Sequence, residues 1–370
     1  MAGIYYHIPF CKRICSYCDF YRTTRTAQLP ALIEAMCREV ADNRDYLHGE
    51  TIRTRYFGGG TPSLCTPEQL KRLLDTTADH FDCSEVEETT LEANPDDLNP
   101  IYLSALREIG IDRLSIGIQS FDDDCLRLMN RRHTAEQAIR VVKEAQAAGF
   151  DNLTIDLIFG VPNFGREVLL RNIDTALSLG VQHISAYLLS IEPRTRFGTM
   201  AAKGELHETP DTQCEEEFML LHERLTEAGF EHYEISNFAR SGCRARHNAN
   251  YWQGVPYLGI GPAAHGFDGR SRRWNVASVE RYLAGEPAEE EQLSTTDRIN
   301  EYLMTRLRTT DGFSLADFEM RFGEPARKQL EQDARQEIAH ERLFSTDERL
   351  FIPAQRMLVS DDIISSLFAE

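Results

Sequence analysis

"HIPFCKRICSYCDFY", residues 7–21, places Cys11, Cys15 and Cys18 within eight positions of a 370-residue chain that holds nine cysteines. The other six are scattered at 37, 65, 83, 125, 214 and 243, and an odd total does not read as a disulfide framework, so the cluster points to metal or redox chemistry. Three thiolates spaced C-x3-C-x2-C on a loop after a first strand can converge on one centre, and thiolate donors suit iron–sulfur clusters or zinc. A structural zinc takes four protein ligands, for which His7 or Asp19 would supply the last. A [4Fe-4S] cluster held by three cysteines leaves one iron open to a small molecule. The bland reading is surface cysteines that hold no metal.

Composition narrows the partners. The formal net charge is −19, with 59 Asp plus Glu against 40 Lys plus Arg. No basic run offsets this, which argues against nucleic acid as a partner. No apolar run approaches the roughly 18 residues of a membrane span, and the N-terminus lacks the layout of a signal peptide. These features predict a cytosolic protein without a transmembrane segment, in contact with a membrane only through a partner. The length suits one large domain and a smaller one.

Outward from the cysteines, short β-branched runs alternate with amphipathic stretches. Strands are expected at GIYYHI (3–8), RTRYFG (53–58), ETTLEA (88–93), RLSIGIQ (113–119), NLTIDLIF (152–159) and HISAYLL (183–189). Thr66, Pro67 and Gln69 form a helix start, Thr134 with Gln137 another, and Asn99 with Pro100 a third. Six βα units without a GxGxxG loop predict an α/β open partial barrel rather than a doubly wound sheet. The barrel should occupy residues 1–235. Residues 236–290, rich in Gly, Arg, Asn and aromatics without a clear period, read as a connecting region. Residues 291–370 read as a mainly helical, winged-helix-like domain: helices near 296–308, 314–322 and 326–341, a hairpin LFSTDERLFI and a last helix from Asp361. Residues 290–370 hold 17 Asp plus Glu against 10 Lys plus Arg, so a DNA-reading wing is not expected.

The motifs YHIPFC (6–11), YFGGGTPSL (56–64), LEANPDDL (91–98), RLSIGIQSF (113–121), MNRRH (129–133) and TIDLIFGVP (154–162) occur in this order. Together they resemble the radical SAM superfamily and, within it, the oxygen-independent coproporphyrinogen III oxidase family. The resemblance implies a radical SAM partial (β/α)6 barrel with a [4Fe-4S] cluster on Cys11, Cys15 and Cys18 and S-adenosylmethionine (SAM) on its open iron. It further implies that Gly59, Gly60 and Thr61 approach the methionine part of SAM, and that Glu92, Gln119 and Asp156, expected at strand ends, bond its hydroxyl or ammonium groups. Arg131 would pair with its carboxylate, and Tyr5 and Tyr17 would pack beside the cluster or adenine. Taken singly, each of these polar groups reads as a solvated or internally satisfied side chain, and each aromatic as core.

Two departures select a branch. The oxidases carry a fourth cysteine two residues after the third, where this chain has Asp19 and Phe20. They also carry an extension ahead of the cluster loop, where ten residues precede Cys11. Both features match the heme chaperone branch, as does RHNANYW (246–252), which is similar to that branch's HNxxYW heme motif. The resemblance therefore implies a heme chaperone with no catalytic residue of its own to name, handing heme to an acceptor protein. It gives His247 to the heme iron, and Arg272 and Arg273 could neutralise propionates. Two alternatives remain: an oxygen-independent coproporphyrinogen III dehydrogenase acting by radical oxidative decarboxylation, and a radical SAM enzyme with another substrate.

Overall fold

The computed structural model describes residues 1–346 and 348–369. Its framework is six strands, β1 (Ala2–Ile8), β2 (Ile52–Gly59), β3 (Glu88–Ala93), β4 (Arg113–Gln119), β5 (Asn152–Phe159) and β6 (His183–Leu188). They lie side by side in sequence order and run parallel. Helices follow the strands: α1 (Leu29–Asp42), α2 (Pro67–His80), α3 (Pro100–Glu108), α4 (Asp123–Leu128), α5 (Ala135–Ala147), α6 (Arg166–Ser178), α7 (Arg196–Ala202) and α8 (Asp211–Glu227). Thr66 caps α2 and Thr134 caps α5, each in a reciprocal box with the glutamine three residues on, and the Asn99 side chain caps α3.

Residues alternate along each strand with consequences for the site. One set, including Ile4, Tyr6, Ile8, Phe57, Leu91, Leu114, Ile116, Ile155 and Ile184, packs beneath the helices in one continuous core. Each fully buried aliphatic side chain there contributes roughly 1.5–3 kcal/mol. The opposite set is largely polar: Thr54, Glu88, Thr90, Glu92, Arg113, Ser115, Gln119, Thr154, Asp156, His183 and Ser185 line the concave face in the register of the ladder. Such a polar interior has to satisfy itself or serve a ligand.

The sheet does not close. Beyond β6 come β7 (Glu231–His232) and β8 (Asn237–Ala239), with β8 antiparallel to β6. On the other side β1 pairs in parallel with β9 (Tyr257–Ile260), and β10 (His265–Phe267), β11 (Ser271–Trp274) and β12 (Glu289–Gln292) extend that edge to a 12-stranded sheet. The segment 236–290, without a clear period in sequence, thus supplies five short strands together with α9 (Arg246–Trp252) and α10 (Val279–Leu283). Strands of three or four residues are too short to show a period of two.

Helices α11 (Thr295–Arg306), α12 (Leu315–Phe322), α13 (Glu324–Asp333), α14 (Arg335–Ala339) and α15 (Ser360–Ser365) follow, with a small sheet of β13 (Phe313–Ser314), β14 (Phe344–Ser345) and β15 (Arg349–Phe351). The expected hairpin is β14 and β15; its Asp347 lies outside the described residues. The single helix expected over 326–341 is two, α13 and α14. No described helix is long and apolar enough to cross a membrane.

Candidate functional site

The cysteine loop leaves β1 at the C-terminal end of the barrel, the face on which barrel enzymes assemble their sites. Backbone bonds pin it at both ends, Cys11 N–H to the Thr23 carbonyl (2.9 Å) and Ser16 N–H to the Met129 carbonyl (3.0 Å). Asn130 Nδ2 donates to the Ile14 carbonyl (2.7 Å), and Lys12 pairs with Asp97 (2.5 Å). A cavity of about 520 Å³ opens beneath the loop. It brings together Cys11, Cys15 and Cys18 with Tyr17, Gly59, Gly60, Thr61, Glu92, Gln119, Arg131 and Asp156. Eleven of the residues singled out from sequence thus share one chamber.

The thiols fit a cluster. Cys11 and Cys15 each have a donor at the sulfur, Thr61 Oγ1 at 3.5 Å and Arg131 Nη1 at 3.3 Å. Burial, with repulsion from the neighbouring sulfurs, pushes the Cys11 thiol up to about 11, and burial raises Cys18 as well. A metal supplies the missing counter-charge. Of the two conceivable fourth protein ligands, Asp19 pairs with Arg194 (3.2 Å), and His7 does not line the cavity, its Nδ1 lying 2.9 Å from the Tyr5 hydroxyl.

Arg131 organises the floor. Its Nη2 donates to Asn94 Oδ1 (2.6 Å) and to the Gly117 carbonyl (2.5 Å), besides the contact of Nη1 with Cys15. Five donors make up a guanidinium, so few are left for a ligand carboxylate, and a two-pronged pairing requires one of these bonds to be given up. Asn94, whose Nδ2 also donates to Thr61 Oγ1 (3.2 Å), was not singled out from sequence. Ser115 and Tyr187, also at the wall, were missed too, although the period of two from Arg113 through Gln119 marks Ser115.

Glu92 accepts from the Tyr56 hydroxyl (2.8 Å) and from the Gly59 amide (3.1 Å). Burial, with Asp156 adding repulsion, nevertheless pushes its carboxyl up to about 7. Burial likewise brings Asp156 up to about 6, although Ser115 Oγ donates to it at 3.2 Å. Asp156 is not at a strand end as expected: it is mid-strand in β5, and it reaches the cavity because every second residue faces inward. Gln119 does end β4, after a register shift, with φ at +69°. A left-handed non-glycine residue of this kind costs of order 1–3 kcal/mol and is characteristic of ligand sites.

The glycines have a reason within the chain. A side chain at Gly60 would meet Pro9 and Phe10 backbone at 2.8 and 2.9 Å, and Gly59 (φ +111°) lies against the His7 ring. They let β2 run hard under the cysteine loop.

Two expected residues lie elsewhere. Tyr5 sits below the cavity, its ring stacked on Tyr56 at 6.1 Å. His247 is at the other end of the barrel, where α9 covers the N-terminal ends of the strands. It is 1 % exposed, with Nδ1 2.8 Å from Thr54 Oγ1 and Nε2 2.8 Å from the Tyr251 hydroxyl. Its backbone N–H and that of Arg246 donate to Glu88 (both 3.0 Å). Both ring nitrogens are occupied, so this histidine offers no free face to a metal as it stands. Arg272 and Arg273 are also committed, to Glu301 (2.8 Å) and Glu39 (2.9 Å).

Comparison with known proteins accords with this chamber. The radical SAM superfamily profile matches residues 5–176 and the HemN C-terminal domain profile residues 293–355. The heme chaperone HemW of Bacillus subtilis is 36% identical over 331 residues, covering 87% of this chain and 87% of its own. The chain belongs to the HemW family of radical SAM proteins. The HemW of Mycobacterium tuberculosis is 35% identical over 99% of this chain and 94% of its own, and that of Escherichia coli 32% over 85% of each. The coproporphyrinogen III oxidase HemN of E. coli superposes with a TM-score of 0.85 at 20% identity, covering all of this chain and 90% of that one, which shows a shared fold. Membership of the radical SAM superfamily implies a [4Fe-4S] cluster and SAM as cofactors.

Proposed function

We propose that this protein is a cytosolic heme chaperone: it holds heme, carries a [4Fe-4S] cluster with exchangeable SAM, and passes heme to an acceptor protein. The observation that carries this reading is the 36% identity to a heme chaperone HemW over 87% of both chains. The chemistry of the chamber supports the cofactor half. Cys11, Cys15 and Cys18 would hold the cluster, which when bound supplies a reducible iron site with one open corner. Thr61, Glu92, Gln119 and Asp156 line the same cavity and would orient the polar groups of SAM, with Tyr17 in the wall beside the thiols. Arg131 holds loop and floor together through Cys15, Asn94 and Gly117.

In this reading residues 1–235 carry cluster and SAM, 236–290 the HNxxYW segment and 291–370 the helical domain. The division is one of roles, since strands from 237 to 292 belong to the barrel's own sheet. Ligation of heme iron by His247 Nε2 requires the Tyr251 hydroxyl bond to be released first, while the Thr54 bond at Nδ1 can stay.

The test is a hemin titration of the cluster-loaded protein with and without SAM, followed by transfer to an apo-hemoprotein. Saturable heme binding and transfer are expected, with coproporphyrinogen left unconverted by anaerobic protein, SAM and reductant. Formation of protoporphyrinogen in that last assay would replace the chaperone with a dehydrogenase.

A further inference from the structure

A second cavity, about 460 Å³, lies between the α9–β11 region and helices α11 and α12. Its volume falls within the roughly 300–1,000 Å³ of small-molecule sites. Its walls are aromatic. Tyr251 meets Tyr257 edge-on at 4.6 Å, Phe267 lies under Arg272 at 4.4 Å, and Tyr302 meets Phe322 edge-on at 5.5 Å. Its rim is cationic, in a chain of net charge −19: Arg272, Arg298, Arg306 and Arg321 border it with a single carboxylate, Glu301.

Glu301 is taken by Arg272 in a two-pronged pair, at 2.9 and 2.8 Å. Among the described residues no carboxylate pairs with the other three. Among the described residues Arg298 has only Thr295 Oγ1 as an acceptor (3.2 Å). Arg306 donates to the Gln253 carbonyl (2.9 Å) and lies over the Tyr302 ring at 5.3 Å, with Arg321 over the same ring at 5.6 Å. Two guanidinium groups against one ring repel each other until an anion comes between them. Burial and, less strongly, Arg321 lower the pKa of Arg306, opposed by Tyr302 and by the more distant Asp317 carboxylate.

We infer that this cavity is the heme-holding site, with the flat macrocycle against the Tyr251, Tyr257 and Tyr302 walls and its two propionates on Arg298, Arg306 and Arg321. A planar, mostly apolar dicarboxylate matches aromatic walls under a cationic rim. The inference rests on the chaperone reading and gives the heme a place in it. Tyr251 forms the wall and its hydroxyl is 2.8 Å from His247 Nε2, so displacing that ring opens the buried histidine toward this cavity.

The experiment is a Soret-monitored titration of the full-length, cluster-loaded protein with hemin and with its dimethyl ester, which lacks the carboxylates. Arg306→Gln/Arg321→Gln should weaken hemin about ten- to a hundredfold, as loss of charge-assisted bonds does, and leave the ester unchanged. Arg298→Glu, at an exposed position, should act in the same direction without touching the Tyr302 stack. SAM binding checks that each variant is folded. Unchanged hemin affinity in both variants would overturn the placement while leaving the chaperone reading intact. A wild-type protein that takes no hemin would overturn both.

Discussion

On the floor of the barrel chamber the central charged groups have company: Glu92 has a hydroxyl and an amide, Asp156 a serine, and Arg131 two carbonyl oxygens and a thiol. At the second cavity, three arginines have no carboxylate partner among the described residues: Arg298 has the Thr295 hydroxyl, Arg306 the Gln253 carbonyl, and Arg306 and Arg321 share the Tyr302 ring. The first chamber is built before its ligands arrive, from strands that hold their side chains in register. The second is assembled from the end of a seven-residue helix, strand edges and two later helices, so its charge is poised but not yet compensated. Pre-organisation in one and unbalanced charge in the other suit the proposed function, a resident cluster with its SAM in the first and a cargo that must leave in the second.

The sharpest way to break this contrast is Cys15→Ala. It should abolish iron and sulfide incorporation and SAM binding, read by absorbance and metal analysis, while hemin affinity stays at the wild-type level; a parallel loss of hemin would show that the two cavities are one functional unit. Next in size, Arg131→Leu strands Asn94 Oδ1 and the Gly117 carbonyl. Unfolding free energy should fall by about 2–3 kcal/mol in denaturant titrations, as expected for lost charged hydrogen bonds, with little change at the arginine cavity.

Acidity sharpens the contrast further. SAM hydroxyl and ammonium groups need ionised acceptors, so SAM affinity should fall as pH drops through about 7, where Glu92 takes a proton, and about 6, where Asp156 does. Calorimetry in buffers of different ionisation enthalpy should show proton release on binding in that window. In the ligand-free protein the sign reverses. Glu92 rises from 4.5 to about 7 on folding, so the folded state holds a proton that the unfolded chain has lost, and stability declines as pH rises across that interval. Glu92→Gln should flatten this slope; an unchanged slope would mean that the carboxylate is already ionised. Smallest of all, Thr134→Ala removes the α5 cap and should cost about 1 kcal/mol by thermal unfolding with neither ligand affected.

The barrel was legible because its signals are local. Val-, Ile- and Leu-rich runs with polar residues at every second place, boxed helix starts and cysteines four and three apart each specify conformation within a few residues, and the parallel strands then bring Glu92, Gln119 and Asp156 to one face by register alone. What was not legible depended on side chains packing across distance. The motif around His247 names a segment, but whether its imidazole faces solvent or the barrel base depends on Thr54 and Glu88, nearly 200 and 159 residues away in the chain. Arg272 and Arg273 look available in sequence and are paired in space, while Arg298, Arg306 and Arg321 look like ordinary helix-surface charges and converge on a cavity.

The sequence by itself determined the six parallel units and the thiol set, since periodicity, caps and spacing act over short stretches of chain, and its ordered motifs carried the resemblance to the family. Only the tertiary structure decided which ionisable groups are neutralised and which are left facing a cavity, because electrostatic pairing depends on distance through space and is not encoded in separation along the chain.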